Sequence, residues 1–159
     1  YGDPALLLPR MYNPHIDKKY KLGIVPHYID KNNKWLDHLK GNKDILILDI
    51  LEKDIYKFID NVKSCQKIAS SSLHGLIVAD AYNIPSVWIE FSKNVKGNGF
   101  KFQDYFLSVK RKDNKPLIIN NNITIDDILE AFYEYEIDID LDKLINACPF
   151  GLQFNNIKT

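Results

Sequence analysis

Four short apolar runs, separated by helix-like segments, constrain the fold of this chain more than any other feature. The runs lie at residues 20–28, 44–51, 67–71 and 86–91. Segment 53–62 repeats apolar residues at helical spacing, and segment 73–82 is apolar and rich in Ala. Strands that alternate with helices predict an α/β domain with a mainly parallel sheet and right-handed crossovers. We therefore expect a Rossmann-like, three-layer domain.

The rest of the chain is expected to complete this single domain. Residues 1–19 read as a lead-in with a short helix start or buried strand, 20–145 as the α/β core, and 146–159 as a tail. Helices are predicted at 33–39, 100–109, 124–135 and 142–147, and a further strand at 116–119. Thr124 is placed to cap its helix, with Asp127 in the first turn.

Composition narrows the function classes. The 159 residues carry 21 basic and 21 acidic side chains, so the net charge of zero gives no support for nucleic-acid binding. No apolar run is long enough to span a membrane. The two cysteines, Cys65 and Cys148, do not make a disulfide framework or a CxxC zinc motif. We expect reduced thiols and a cytoplasmic protein, with a peripheral position at the inner face of the membrane as an option.

The run Ser70-Ser71-Ser72-Leu73-His74-Gly75 is the strongest local signal for chemistry. It lies between a predicted strand and a predicted buried helix, where a parallel sheet opens into its ligand crevice. Free N–H groups at the start of the helix, together with serine hydroxyls, suit a phosphate or a carboxylate. His74 would sit on the first helical turn and could transfer a proton near neutral pH. The alternative is that Ser72 only caps the helix and His74 is an ordinary helix residue.

Three other side chains are candidates for the same site. His27 closes the first strand; if that strand neighbours the Ser70 strand, His27 and His74 face one crevice. Arg10 could bind an anion through its planar guanidinium, whereas a surface position is expected for Arg111. Glu90, in an otherwise apolar strand, could act as a base or orient a sugar hydroxyl, or could be a solvated strand end. No HxH or HExxH spacing is present, so no metal site is expected.

Segment 100–106 places aromatic rings beside polar groups after a loop that contains Gly97 and Gly99. Such a combination is typical of sugar binding, and it makes Phe102, Asp104 and Tyr105 candidate contacts with a saccharide. The alternative is a core helix with its aromatic face turned inward.

An ordered set of segments resembles the polysaccharide pyruvyl transferase family. The matching pieces are Tyr1-Gly2-Asp3-Pro4-Ala5, Leu22-Gly23-Ile24-Val25-Pro26-His27-Tyr28, the stretch from Ser70 to Tyr82, Ile84-Pro85-Ser86-Val87-Trp88-Ile89, and Gly99-Phe100-Lys101-Phe102-Gln103-Asp104-Tyr105. They are collinear from residue 1 to about residue 108, and the resemblance fades beyond Pro116. The set is more specific than any one piece.

The resemblance implies a two-lobed architecture like that of GT-B glycosyltransferases, in which this chain supplies the carboxy-terminal lobe and the amino-terminal lobe is absent. It implies transfer of pyruvate from phosphoenolpyruvate to a sugar as a ketal, in bacterial exopolysaccharide or capsule biosynthesis, with no cofactor. His74 corresponds to the family's proton donor. Many relatives carry Arg where this chain has Ser72, which leaves Ser70, Ser71, Ser72, Gly75 and Arg10 to hold the donor. His27 or Glu90 would be the base.

The implied partners are a saccharide acceptor, a lipid-linked oligosaccharide in particular, and the missing lobe; a homo-oligomer is also an option. Two other functions stay open from the sequence. One is a nucleotide-sugar glycosyltransferase lobe of similar architecture, whose serines and histidine would hold a diphosphate. The other is a lobe without catalysis that binds a saccharide or a partner domain.

Overall fold

The computed structural model describes residues 2–95, 97, 99–112 and 115–147. Five strands form one parallel sheet in the order β2-β1-β3-β4-β5. They are β1 Tyr20–Val25, β2 Ile45–Ile47, β3 Cys65–Ser70, β4 Ser86–Glu90 and β5 Leu117–Ile118. In the register of the central pair, Val25 lies opposite Ser70. The α/β class and the mainly parallel sheet predicted from the sequence are confirmed.

Helices and two 3-10 segments cover both faces of this sheet. The 3-10 segments are Pro4–Leu7 and Lys34–Leu39. The α-helices are α1 Leu8–Met11, α2 Ile55–Lys63, α3 Leu73–Ala81, α4 Phe100–Ser108, α5 Ile125–Glu130 and α6 Leu141–Asn146. Each of α2, α5 and α6 begins at an Asp or Thr whose side chain accepts from backbone N–H groups, which satisfies otherwise orphaned donors.

The side chains of the strands alternate between two cores, as the pleat of a strand requires. On one face, Leu22 and Ile24 of β1 pack with the Lys34–Leu39 segment and with Ile128 of α5. On the other face, Val25 and Ile68 pack with α2 and α3. Trp88 of β4 extends that second core to α4 and to the Pro4–Leu7 segment. The three layers expected for a Rossmann-like domain are therefore present.

The order in which strands are added to the sheet reverses at the β1–β3 pair. Strand β2 lies on the outer side of β1, whereas β4 and β5 follow β3 on the other side. The connection from β1 to β2 runs over one face, through the Lys34–Leu39 segment, whereas the connection from β3 to β4 runs over the other face, through α3. In an open α/β sheet, ligands bind outside the carboxyl ends of the strands where the order reverses. The fold therefore directs attention to the residues that follow Val25 and Ser70.

Helix α3 is buried on nearly all sides rather than on one stripe. Its residues from Gly75 to Asp80 are all buried. The sheet covers one side, while Leu6 and Leu7 of the 3-10 segment pack on the other, against Leu76 and Ile77. The predicted lead-in at residues 1–19 thus contributes two nearly inaccessible leucines to the core.

A buried polar network joins the far end of α3 to β4 and to later parts of the chain. Arg111 donates to Asp80 Oδ1 at 2.9 Å, and its side chain is fully buried, so the prediction of a surface role for Arg111 was wrong. The hydroxyls of Tyr105 and Tyr135 also donate to Asp80, at 2.8 and 2.6 Å. Arg111 also donates to the hydroxyl oxygen and to the carbonyl oxygen of Ser86. A buried ion pair is tolerable only with such additional hydrogen bonds.

Several boundaries differ from those predicted. The helix that starts after Thr124 ends at Glu130, not near Tyr135, because residues 132–139 run as irregular chain. Only Ile45–Ile47 of the apolar run 44–51 pairs as a strand.

Cys65 is a buried free thiol, and burial raises its pKa to about 11. Cys148 and the predicted tail from residue 148 onward lie outside the described residues. Among the helices described, none has the length and apolar character to cross a membrane.

Candidate functional site

The loops that leave β1 and β3 are tied together at the carboxyl edge of the sheet. The backbone N–H of His27 donates to Ser71 Oγ at 2.8 Å, and the N–H of Ser71 donates to the carbonyl oxygen of Val25 at 3.1 Å. Strands β1 and β3 pair directly. This pairing was the condition under which His27 and the Ser70 segment were predicted to face one crevice. The structure thus places His27 and the start of α3 at one switch point.

Ser70 links the end of β1 to the residue before α3 through its buried hydroxyl. Its hydroxyl donates to the carbonyl oxygens of Val25 and Ser72, and accepts from the N–H of Ser72 at 3.0 Å. The side chain is completely buried. A Cβ at Gly75 would lie 2.3 Å from Ser70 Oγ and 3.0 Å from the side chain of Val25. Gly75 is therefore required for the first turn of α3 to approach the two strands this closely.

The first turn of α3 carries two backbone N–H groups without a partner in the described part of the chain, behind a Ser72 that is only 4% exposed. Ser72 occupies the N-cap position, but its side chain makes no capping hydrogen bond. The two N–H groups are those of Leu73 and His74. Open amides and the positive end of the helix favour an anion. Ser72 thus occupies the N-cap position that the alternative predicts, without the side-chain hydrogen bond that usually accompanies a serine cap.

The two histidines of the edge differ in exposure. His74 is exposed on the first turn of α3. His27 is only 9% exposed, and its Nδ1 accepts from the N–H of Ile29 at 3.4 Å. Burial and the nearby ammonium of Lys101 lower the pKa of His27, while the carboxylate of Asp30 acts in the opposite direction. His27 is therefore favoured in its neutral form, with the proton on Nε2.

Asp30 belongs to this edge and was missed by the sequence analysis. It is 5% exposed, and its Oδ1 accepts from the hydroxyl of Ser92, which follows β4, at 2.6 Å. Its Oδ2 is buried and has no hydrogen-bond partner among the residues that the structure describes. A buried carboxylate oxygen without a partner is costly and marks a residue that packing alone does not explain. In the sequence, Asp30 lies within a polar turn and carries no periodic signal.

A cleft of about 340 Å³ opens beside the Ser71 loop, at the end of β4. Its lining includes Ser71, Glu90, Lys93, Gly99 and Phe102. Glu90 is half-buried at the end of β4. The structure thus brings together side chains that the sequence analysis treated as three separate candidates.

The aromatic residues of α4 mainly face inward. Phe102 is 2% exposed and stacks on Trp88 with ring centroids 4.6 Å apart, although one side of it reaches the cleft. Tyr105 is 4% exposed, and its hydroxyl is bonded to Asp80 in the buried network. Asp104 is exposed. For Tyr105 in particular, these positions agree with the alternative, a core helix with an inward aromatic face.

Arg10 does not join this group in the structure. It lies at the end of α1, and its guanidinium donates to Asp142 Oδ1 at 2.9 Å in an exposed ion pair. No cluster of three or more His, Cys, Asp or Glu side chains in the described ranges could hold a metal ion. The groups available at the edge are therefore hydroxyls, open amides, imidazoles, carboxylates and lysines.

A model of the polysaccharide pyruvyl transferase family matches residues 1–93. That match covers more than half of the chain and includes β1, β3, β4 and the whole Ser70–Gly75 segment. The chain belongs to this family. The resemblance noted in the ordered motifs is thus confirmed for the pieces within residues 1–93, whereas the Gly99–Tyr105 piece lies beyond the match. Membership of the family indicates a transferase.

Among curated proteins, this pyruvyl transferase domain is similar to an uncharacterized protein of Acanthamoeba polyphaga mimivirus. The two are 34% identical over 157 aligned residues. The alignment covers 91% of this chain and 52% of the viral protein, so the chain spans about half the length of that relative. No solved structure matches the domain significantly.

Proposed function

We propose that this domain transfers pyruvate from phosphoenolpyruvate to two hydroxyls of a sugar, as a cyclic ketal. The observation that carries the proposal is the junction of the His27 and Ser71 loops at the switch point, beside the open first turn of α3. Ketal formation requires an acid, a base and an electropositive pocket for phosphate and carboxylate. This edge offers candidates for all three.

In the proposed reaction, His74 donates a proton to the methylene carbon of phosphoenolpyruvate. This makes an oxocarbenium-like centre at the neighbouring carbon, to which one sugar hydroxyl adds with loss of its proton. The C–O bond to phosphate then breaks, and the second hydroxyl adds at the same carbon and gives its proton to the departing phosphate. The proton that the base took from the first hydroxyl restores the acid form of His74. His74 suits the role because it is exposed on the helical turn that would face the donor.

The serine segment is proposed to bind the phosphate. Ser72 and the open amides of Leu73 and His74 are the direct contacts, since the hydroxyls of Ser70 and Ser71 already bond to the protein. Gly75 allows the helix to begin at this position. Arg10, which pairs with Asp142, is not assigned a donor contact.

The base is proposed to be Glu90 or His27. Glu90 lines the cleft, and the lowered pKa of His27 leaves its imidazole neutral and able to accept a proton. Phe102, at the wall of the cleft, and Asp104, exposed on the same helix, are the proposed sugar contacts. The acceptor is proposed to be a lipid-linked oligosaccharide used in exopolysaccharide biosynthesis, and a second lobe is proposed to close the site from above.

The test is a phosphate-release assay with phosphoenolpyruvate and a panel of β-galactosides, glucosides and mannosides, on a protein that holds both lobes. His74→Ala is expected to abolish release without a change in the urea unfolding midpoint, because the side chain is exposed. His38→Ala, which removes another exposed histidine, serves as the control and should retain activity. If His74→Ala releases phosphate at the rate of the wild type, the proposed mechanism is wrong. If the wild type does not turn over phosphoenolpyruvate, the proposed function is wrong.

A further inference from the structure

The proposed donor carries both a phosphate and a carboxylate, yet the Ser70–Gly75 segment contributes no cationic side chain other than a protonated His74. Arg10 and Arg111, the two arginines of the chain, pair with Asp142 and Asp80. Hydroxyls and amides offer only partial charges to a multiply charged anion, whereas an ammonium adds a full opposite charge. The site therefore needs a positive charge from another element.

Two lysines at the carboxyl edge can provide that charge. Lys93, two residues beyond Phe91, lines the cleft together with Ser71 and Glu90. Lys101 lies on the first turn of α4, and its ammonium is near enough to His27 to lower the pKa of the imidazole. Neither lysine forms an ion pair with a carboxylate in the described part of the chain. Both charges are thus available to a ligand.

The first turn of α4 is held in place by close packing. Gly99 precedes the helix at a φ of +79°, and a Cβ there would lie 2.7 Å from the ring of Trp88. Phe102 stacks on the same ring, at an interplanar angle of 12°. Lys101 lies between these two contacts, and its Nζ is 5.4 Å from the centroid of the Phe102 ring. The position of Lys101 beside the edge is therefore built into the fold.

We propose that Lys93, which lines the cleft at the end of β4, and Lys101, which lies between the lining residues Gly99 and Phe102, bind the anionic groups of the donor. The ligand class is a small phosphorylated carboxylate, and the inference rests on the proposed function for its identity as phosphoenolpyruvate. A cleft of about 340 Å³ accommodates a molecule of this size.

The experiment measures the dissociation constant of phosphoenolpyruvate by calorimetry at fixed ionic strength. Lys93→Met and Lys101→Met are each expected to weaken binding about tenfold, the effect of losing about 1.4 kcal/mol from a charge-assisted contact. Lys101→Arg should restore most of the affinity. Lys43→Met is the matched control, because it removes the same charge from an exposed residue before β2 and should bind like the wild type.

A second readout separates binding from folding. Because Lys101 lowers the pKa of His27, the His27 titration followed by NMR should shift upward in Lys101→Met, while the urea midpoint stays unchanged. If the wild type binds phosphoenolpyruvate and the lysine variants bind it equally well, the inference is overturned and the proposed function stands.

A uridine diphosphate sugar is the probe for the opposite case, in which the lysine site is correct and the proposed function is wrong. Lysine-dependent binding of that probe, without binding of phosphoenolpyruvate, would overturn the proposed function and leave the lysine site in place. A wild-type protein that binds neither anion would overturn both.

Discussion

The N–H of His27 and the Oγ of Ser71, 44 residues apart in sequence, share a 2.8 Å hydrogen bond in the interior of the carboxyl edge. This contact joins the loops of two adjacent parallel strands, whose main-chain pairing ends at Val25 and Ser70. The loops could otherwise diverge, because they lead to opposite faces of the sheet. One serine hydroxyl therefore helps to set the spacing between the imidazole of His27 and the start of α3.

Ser71→Ala should destabilise the domain by about 1–3 kcal/mol, because it leaves the buried N–H of His27 without its acceptor. Urea unfolding measures the change. Ser108→Ala is the control, since its hydroxyl donates to a carbonyl within α4 and its loss should change stability by about 0.5 kcal/mol or less. Equal effects of the two substitutions would contradict a special role for the Ser71 bond.

The stability of the domain should rise with pH through the titration of His27. Folding lowers the pKa of this ring from its ordinary 6.5, mainly through burial, so the unfolded chain binds more protons near that pH. The contribution is complete above the ordinary pKa and is lost as pH falls towards the lowered value of the folded state. Urea midpoints at about pH 5 and about pH 7.5 should differ less in His27→Gln than in the wild type. An identical difference in both proteins would refute this assignment.

Gly75→Ala should cost about 1–3 kcal/mol, since the added methyl group would overlap Ser70 Oγ and press on Val25. Removal of the opposing hydroxyl tests the cause. In a double-mutant cycle, Ser70→Ala should relieve part of the Gly75→Ala penalty, giving a coupling energy clearly different from zero. Purely additive effects would show that the close approach between the helix and the strand does not determine the requirement for glycine.

Arg111→Met should destabilise the domain strongly, by about 3–5 kcal/mol, because the carboxylate of Asp80 would stay buried without its cation. Chemical unfolding of Arg111→Met, Asp80→Leu and the double variant measures this. The double variant should be less destabilised than the sum of the single ones, since it removes both charges. Additivity would indicate that the two side chains act separately.

The fold was largely predictable because its signals are local. Short apolar runs that alternate with helical periodicity identified β1, β3, β4 and the helices between them, and Thr124 marked the start of α5 through the capping box that the structure shows. The boundary of α5 was not predictable in the same way, because the aromatic residues after Glu130 pack as irregular chain. One of them, Phe132, packs against the sheet-facing core although it is not helical.

The site was predictable only where a motif marks it. The Ser70–Gly75 segment and His27 could be placed at one edge from strand order and polarity. The positions of Asp30 and of the proposed anion ligands Lys93 and Lys101 could not be predicted, since they depend on three-dimensional neighbours. Arg111 shows the same limit, because nothing near it in sequence indicates that Asp80, 31 residues away, neutralises it inside the protein. Tyr105 was a candidate contact with a saccharide, whereas in the structure its hydroxyl donates to the same buried carboxylate.

The Asp80 network lies at the opposite end of α3 from His74. The two residues are six positions apart, which corresponds to about 9 Å along the helix axis. Helix α3 is therefore a short rigid rod, clamped at one end by Arg111, Tyr105 and Tyr135 and carrying the histidine at the other. Because the helix is rigid, a movement at its clamped end would displace the imidazole of His74 at the other end. With the role proposed for His74, substitutions in the clamp that leave the chain folded would displace its imidazole from the donor and slow turnover, although they lie far from the carboxyl edge.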